Sequence, residues 1–279
     1  MPWIEMVADC PPPGFKAQLR EKRPWYEIRN AASDEAELLL FDEIGGWYGT
    51  YADEFVQELK AITASKVTVR LNSPGGSVFE GIAVANALRA HPAQVIVRVE
   101  GLAASIASVI ALAGDRLQMM PQSTLMVHEA SGACLGNAAD MTKMAEVLDL
   151  LSDNIADAYA TKAGGSREQW RAAMKEESWY TADEAVAAGL ADEVLRDIKP
   201  AEESTNSWDL SIFRYAGRHH APAPANGANP GLVKGQVDRH TAAHLNDGGG
   251  DTGARHPHPD EVAFDVVAFR EALKGAFGI

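Results

Sequence analysis

Cysteine is scarce: Cys10 and Cys134 are the only two in 279 residues. So few, so widely separated, they support neither a metal site nor a disulfide framework, and they fit a reducing compartment. Positive charge is also short, with 25 Lys and Arg against 39 Asp and Glu and a formal net charge of −14. Nucleic acid and anionic lipid would both repel such a chain, so neither is expected as a partner. The acidity reads more simply as solubility. No apolar run approaches the roughly 20 residues that span a bilayer. The opening MPWIEMVADCPPPG lacks the basic head and apolar middle of a secretory signal, so a soluble, cytoplasmic protein is expected. A GxxxxGK[ST] phosphate loop is missing too. Any dependence on ATP must then come through a partner, and no cofactor or metal is expected.

What is present falls into zones. Residues 1–24 form a poorly patterned arm in which Pro11-Pro12-Pro13-Gly14 opposes regular structure. Residues 25–197 are dense in apolar side chains. Within them Lys66–Leu71 (KVTVRL), Gln94–Val99 (QVIVRV) and Thr124–Val127 (TLMV) are β-branched runs that predict strands. Ser77…Glu80, Ser166…Gln169 and Thr181…Glu184 match the capping box and predict helix starts. Gly114 and Gly189 follow apolar helical runs and suit left-handed caps. The alternation predicts an α/β domain with its strands covered on both sides. Residues 198–259, with APAPANGANPG at 221–231 and LNDGGGDTG at 245–253, are too poor in apolar content to pack and are expected to be a flexible linker. At 260–279, Val262, Val266, Phe269, Leu273 and Phe277 recur every three or four residues and predict one amphipathic helix.

Three segments could carry chemistry. Asn72-Ser-Pro-Gly75-Gly76-Ser77 links a strand to a capped helix, and its glycines leave backbone N–H groups uncovered for an anion or developing oxyanion. Taken alone, Gly-Gly is more often a plain turn. Gly101-Leu-Ala-Ala-Ser105 follows the next strand and opens an apolar helix, where unpaired N–H groups favour negative charge. A capping or core serine is the bland alternative. Of eight histidines only His91 and His128 precede residue 200. His91 stands before Pro92 at a helix end and is expected in an exposed turn, whereas His128 ends the TLMV strand. A Ser–His pair in this domain would therefore use His128. The aspartates at 140, 149, 153 and 157 are expected mainly on the solvated face of a helix over 138–160, and spacing does not choose between Glu176 and Glu177 as a third member. A serine–lysine dyad competes, but no lysine lies between Lys66 and Lys143.

Together these segments resemble the Clp protease proteolytic subunit family, and more closely its phage-encoded head maturation proteases. The resemblance covers about 25–197 and rests on four motifs: Asn72–Val78, Gly101–Ser105, Leu125–His128 and Thr181–Asp192. It implies a crotonase-like spiral of ββα units and a serine endopeptidase. Ser105 would be the nucleophile, His128 the base, and the backbone N–H groups of Gly76 and Ile106 the oxyanion hole. Glu177 stands where the family carries an aspartate as triad acid. Gly75 and the Gly132-Ala133-Cys134 segment would bind an extended substrate strand, with 132–136 and the following helix forming the handle by which rings stack. The implied partners are a polypeptide substrate, a homo-oligomeric ring, and capsid or scaffold proteins or an ATPase unfoldase. Two other readings share the fold: an acyl-CoA hydratase or isomerase, and an inactive scaffold.

Overall fold

The computed structural model describes residues 25–29, 34–45, 52–196 and 208–225. The proposed N-terminal arm and the 260–279 helix lie outside them. One eight-stranded sheet carries the fold, its path running β1 (Tyr26–Arg29), β2 (Glu35–Leu40), β3 (Lys66–Ser73), β4 (Gln94–Ala104), β5 (Arg116–Met119), β8 (Glu193–Val194). From β2 to β8 neighbours are parallel, and β1 is antiparallel to β2.

Strand β4 is long enough to serve two partners. Its first half alternates, with Val95, Val97 and Val99 buried, and pairs with β5. Its second half, Leu102–Ala104, pairs instead with β6 (Thr124–Val127), which is joined antiparallel to β7 (Ser178–Thr181). The C-terminal end of β4 thus sits beside the end of β6, and their next residues are Ser105 and His128.

The helices are α1 (Ala52–Ala61), α2 (Val78–Ala90), α3 (Ile106–Ala111), α4 (Ala138–Ala163), α5 (Arg167–Lys175) and α6 (Ala182–Ala187). Helix α2 buries Ile82, Val84, Ala85 and Leu88 on one face. At Gly81 it meets α3 so closely that a Cβ there would come 2.2 Å from Ile106 Cγ1. That contact sets the start of α3, immediately after Ser105. Fully buried Leu38, Leu40, Phe55, Leu71 and Ile110 anchor the core, each contributing about 1.5–3 kcal/mol by leaving water.

The α/β architecture of the Clp type agrees with the sequence reading. Both later capping boxes form, at Ser166–Gln169 and Thr181–Glu184. The first is only half made. Ser77 accepts from Glu80 N, while the Glu80 carboxylate accepts from Ala52 N at 2.5 Å and ties α1 to α2. Gly189 is left-handed at φ 79°, but Gly114 is not. There the glycine is required by close packing, since a Cβ would stand 2.8 Å from Val97 Cγ2. His91 is partly buried rather than exposed, its ring bonded to Leu59 C=O and Ala93 N–H.

The largest departure lies in the expected linker. Residues 208–225 are described, and they pack on the domain. Phe213 is buried in a small cluster with Leu102, Ala104, Met126 and Trp179. Averaged composition hid this, because Trp208, Phe213 and Tyr215 concentrate the apolar surface of the segment in a few rings.

Candidate active site

Ser105 has φ 56° and ψ −131°, a conformation that costs a non-glycine residue about 1–3 kcal/mol and persists only where its surroundings enforce it. The enforcing contacts are specific. Its N–H donates to Met126 C=O, tying it to β6. Its C=O accepts from Ser108 Oγ at 2.5 Å, and Ser108 Oγ in turn lies 2.6 Å from Tyr159 OH. Since the Ser108 proton is already engaged, the phenol is the donor. Burial pushes the Tyr159 phenol above its ordinary pKa, so it stays protonated. Ser108 and Tyr159 carried no signal in the sequence, because α4 brings Tyr159 in from 51 residues away.

This backbone directs Ser105 Oγ at His128 Nε2, 2.7 Å distant. Burial holds the imidazole below its ordinary pKa, opposed by the negative charges of Glu177 and then Glu129. The ring is therefore neutral near pH 7 and able to accept a proton. A cleft lined by Gly76, Val78, Ser105, Ile106, His128, Glu129, Ala130, Ser131, Ile155 and Tyr159 opens over the pair.

The glycine loop forms the opposite wall. Gly75 (φ 103°) backs onto the serine so tightly that a Cβ would stand 2.6 Å from Ser105 Cβ. Gly76 (φ 144°) is bridged to Ile44: Ile44 N–H donates to Gly75 C=O, and Ser77 N–H donates to Ile44 C=O. The pairing uses the flanking residues, so the N–H of Gly76 itself points to the other side of the strand. Neither it nor the N–H of Ile106, at the first position of α3, has a backbone partner among the described residues. Both residues line the cleft beside Ser105 Oγ.

Gly132, Ala133 and Cys134 continue from the Ser131 edge of the cleft along a partly exposed loop over α4, without forming a strand. Glu176 is exposed and bonds Arg214 at 3.4 Å.

Glu177 is placed differently from the expectation of a carboxylate on His128. It is buried and left-handed (φ 53°). Its Oε1 accepts from Trp179 Nε1 at 2.9 Å and from Tyr215 N–H at 3.0 Å, and its Oε2 accepts from Arg214 N–H at 2.7 Å. Among the described residues no hydrogen bond joins it to His128, whose only one is to Ser105. Three N–H donors hold the carboxylate, and two of them come from the segment expected to be a free linker. The Phe213 ring from the same segment packs against His128 in a T-shaped contact, centroids 5.6 Å apart. The cluster WDLSIFRY at 208–215 was its available sequence signal.

The family model for Clp protease matches residues 20–197, more than half of the chain. Over 129 residues the chain is 39% identical to ATP-dependent Clp protease proteolytic subunit 1 of Chlamydia abortus, covering 45% of this chain and 67% of that one. It is 32% identical over 131 residues to the proteolytic subunit of Bacteroides fragilis, covering 46% and 63%. To proteolytic subunit 2 of Thermobifida fusca it is 32% identical over 150 residues, covering 52% and 74%. The match ends at residue 197, before the docked segment at 208–225.

Proposed function

The chain belongs to the Clp protease family, and from that premise we propose that it is a serine endopeptidase with Ser105 as nucleophile and His128 as general base. The observation that carries the reading is the 2.7 Å contact of Ser105 Oγ with His128 Nε2 at a strained serine. In this mechanism Nε2 takes the hydroxyl proton as Oγ bonds to the scissile carbonyl carbon. The negative charge moves onto the carbonyl oxygen, and the N–H groups of Gly76 and Ile106 receive it. Collapse expels the amine, which takes the proton from His128 and leaves an acyl-Ser105. Water then attacks with the same base and releases the acid.

The resemblance of the four motifs extends the proposal. The substrate would be a capsid or scaffold precursor in phage head maturation, and the protein would assemble as a homo-oligomeric ring. Leu135, Met141 and Leu150, large apolar side chains exposed around the start and middle of α4, support a face that another subunit covers. A Clp-type peptidase fed by an ATPase is the alternative, in keeping with the names of the relatives. Incubation with a candidate precursor, with and without an unfoldase and ATP, separates the two.

The chemistry itself is tested by a fluorophosphonate probe and a peptide substrate. Labelling should fall on Ser105, and Ser105→Ala and His128→Ala should each lower kcat by several orders of magnitude while the melting curve is kept. Near-wild-type cleavage by Ser105→Ala would end the assignment. Thioester turnover insensitive to that substitution would instead favour the hydratase reading.

A further inference from the structure

Residues 208–221 dock on the domain by contacts of four kinds, two of which reach His128 and Glu177. Phe213 packs edge-on to His128 and, at 5.8 Å, to Trp179. The successive main-chain N–H groups of Arg214 and Tyr215 hold the two oxygens of Glu177, one each. A charged latch fixes the far end: the Arg218 guanidinium forks onto the Glu184 carboxylate at 2.6 and 2.8 Å, and it also donates to Ala221 C=O. At the near end Trp208 Nε1 reaches Asn72 Oδ1, which also accepts from Leu102 N–H. None of residues 208–221 lines the cleft over Ser105. The segment touches His128 through Phe213 and leaves that cleft open.

We propose that residues 208–221 are a strap that withholds the Glu177 carboxylate from His128 and so keeps the peptidase in a low-activity state. The inference rests on the Ser105–His128 reading above. A neutral imidazole that accepts the Ser105 proton at Nε2 must carry its own proton on Nδ1. That N–H needs an acceptor to fix the tautomer and to stabilise the imidazolium formed during attack. With the strap engaged, Glu177 is held by three N–H donors, the Phe213 ring packs against the imidazole, and among the described residues no acceptor is bonded to Nδ1. The wrong tautomer, with Nε2 protonated and donating to Ser105 Oγ, is then not disfavoured. Release of the strap takes two donors from Glu177 and removes the ring beside His128. The carboxylate, still held by Trp179 Nε1, becomes able to accept from Nδ1. Coupling of this kind is reciprocal: an adduct on Ser105 that draws a proton onto His128 should loosen the strap.

The test uses the full chain. Phe213→Ala with Arg218→Ala removes the ring and the latch, and Phe213→Asp places a charge that the Leu102–Met126–Trp179 cluster cannot bury, which expels the strap. Hydrogen exchange of the 208–221 amides reads release directly, and circular dichroism checks that the domain stays folded. The expected result is a rise in kcat and in the rate of Ser105 phosphonylation of at least ~3-fold, with KM nearly unchanged. The gain should vanish in a Glu177→Gln background, which a merely structural role of Phe213 would not require. Exchange at 208–221 in the wild-type chain should also quicken after phosphonylation. A released strap with kcat unchanged or lowered, or an equal gain without Glu177, overturns the proposal. Wild-type labelling at Ser105 with no faster labelling in the released variants sinks the strap alone. No labelling in any variant removes the peptidase reading, and the strap with it.

Discussion

Two non-glycine residues near His128 have positive φ, Ser105 at 56° and Glu177 at 53°, and their side chains meet different partners. At Ser105 the surroundings are built from the domain itself: Met126 C=O, Ser108, Tyr159 and the facing Gly75 hold the residue with Oγ on the imidazole. At Glu177 the surroundings include a segment beyond the family match, and the side chain is bonded to that segment rather than to His128. Backbone strain marks both positions as functional candidates. Only the contacts say what each does. On the proposed reading the nucleophile side of this site is preformed, whereas the carboxylate side depends on where residues 208–221 lie.

The sharpest way to break the claim of a preformed nucleophile side is Gly76→Ala. The added Cβ would stand 2.2 Å from Ile44 O, a backbone atom, at φ 144°, which L side chains rarely adopt. The loop must move, and its N–H moves with it. Loss of one oxyanion donor costs about 10²–10³ in kcat, so a fall of that order is expected with KM changed far less. An activity within about twofold of wild type, against that 10²–10³, would show that this N–H receives no charge.

Glu177→Gln probes the other side with a smaller effect. An amide offers one oxygen in place of two, so an N–H among Arg214, Tyr215 and Trp179 loses its acceptor. A buried donor left unpaired costs about 1–3 kcal/mol, visible as a lower melting temperature and faster exchange at Arg214 and Tyr215. The pH profile supplies an independent reading. Burial already depresses the His128 pKa, and the Glu177 charge works against that depression. The acid limb of kcat/KM should therefore lie below the ordinary histidine value of about 6.5. Activity is lost as pH falls through that limb, because the protonated ring cannot act as a base. Removing the Glu177 charge should move the limb lower still. A limb that stays in place would mean that the carboxylate does not act on the imidazole electrostatically.

The legibility of these parts from sequence follows the range of the interactions that make them. Strand β6 was readable in full from TLMV, and two capping boxes were readable because each is closed within four residues. Ser105, His128, Gly75 and Gly76 stand out as candidates because each lies at the end or turn of a recognisable element, and Ile106 enters through the family resemblance. The bond that Glu80 makes to Ala52, the Tyr159–Ser108 support and the docking of Phe213 all join residues far apart in the chain. No local pattern encodes them. The docking of 208–225 escapes the sequence for a related reason: composition averaged over 198–259 says little about a short segment whose rings fit one cluster.

The smallest effect is expected at the neighbour, and it tests whether position or environment separates two adjacent glutamates. Glu176 ends α5 with its side chain 69% exposed, paired with an Arg214 side chain that is 55% exposed, at 3.4 Å. Exposed pairs of this kind contribute about 0–1 kcal/mol, because water and salt screen the attraction and two flexible side chains must be ordered. For a chain of this size that corresponds to at most ~4 °C in melting temperature. The strap keeps its main-chain bonds to Glu177 when this pair is lost, so kcat and the pH limb should hold within about twofold in Glu176→Gln, since an exposed, screened charge acts weakly at a distance. Together with a clear response to Glu177→Gln, that result would assign the role to the buried member of the pair. A larger loss in Glu176→Gln than in Glu177→Gln would reverse the assignment. It would also mean that the Arg214 side chain, rather than the main-chain N–H groups, fixes the strap.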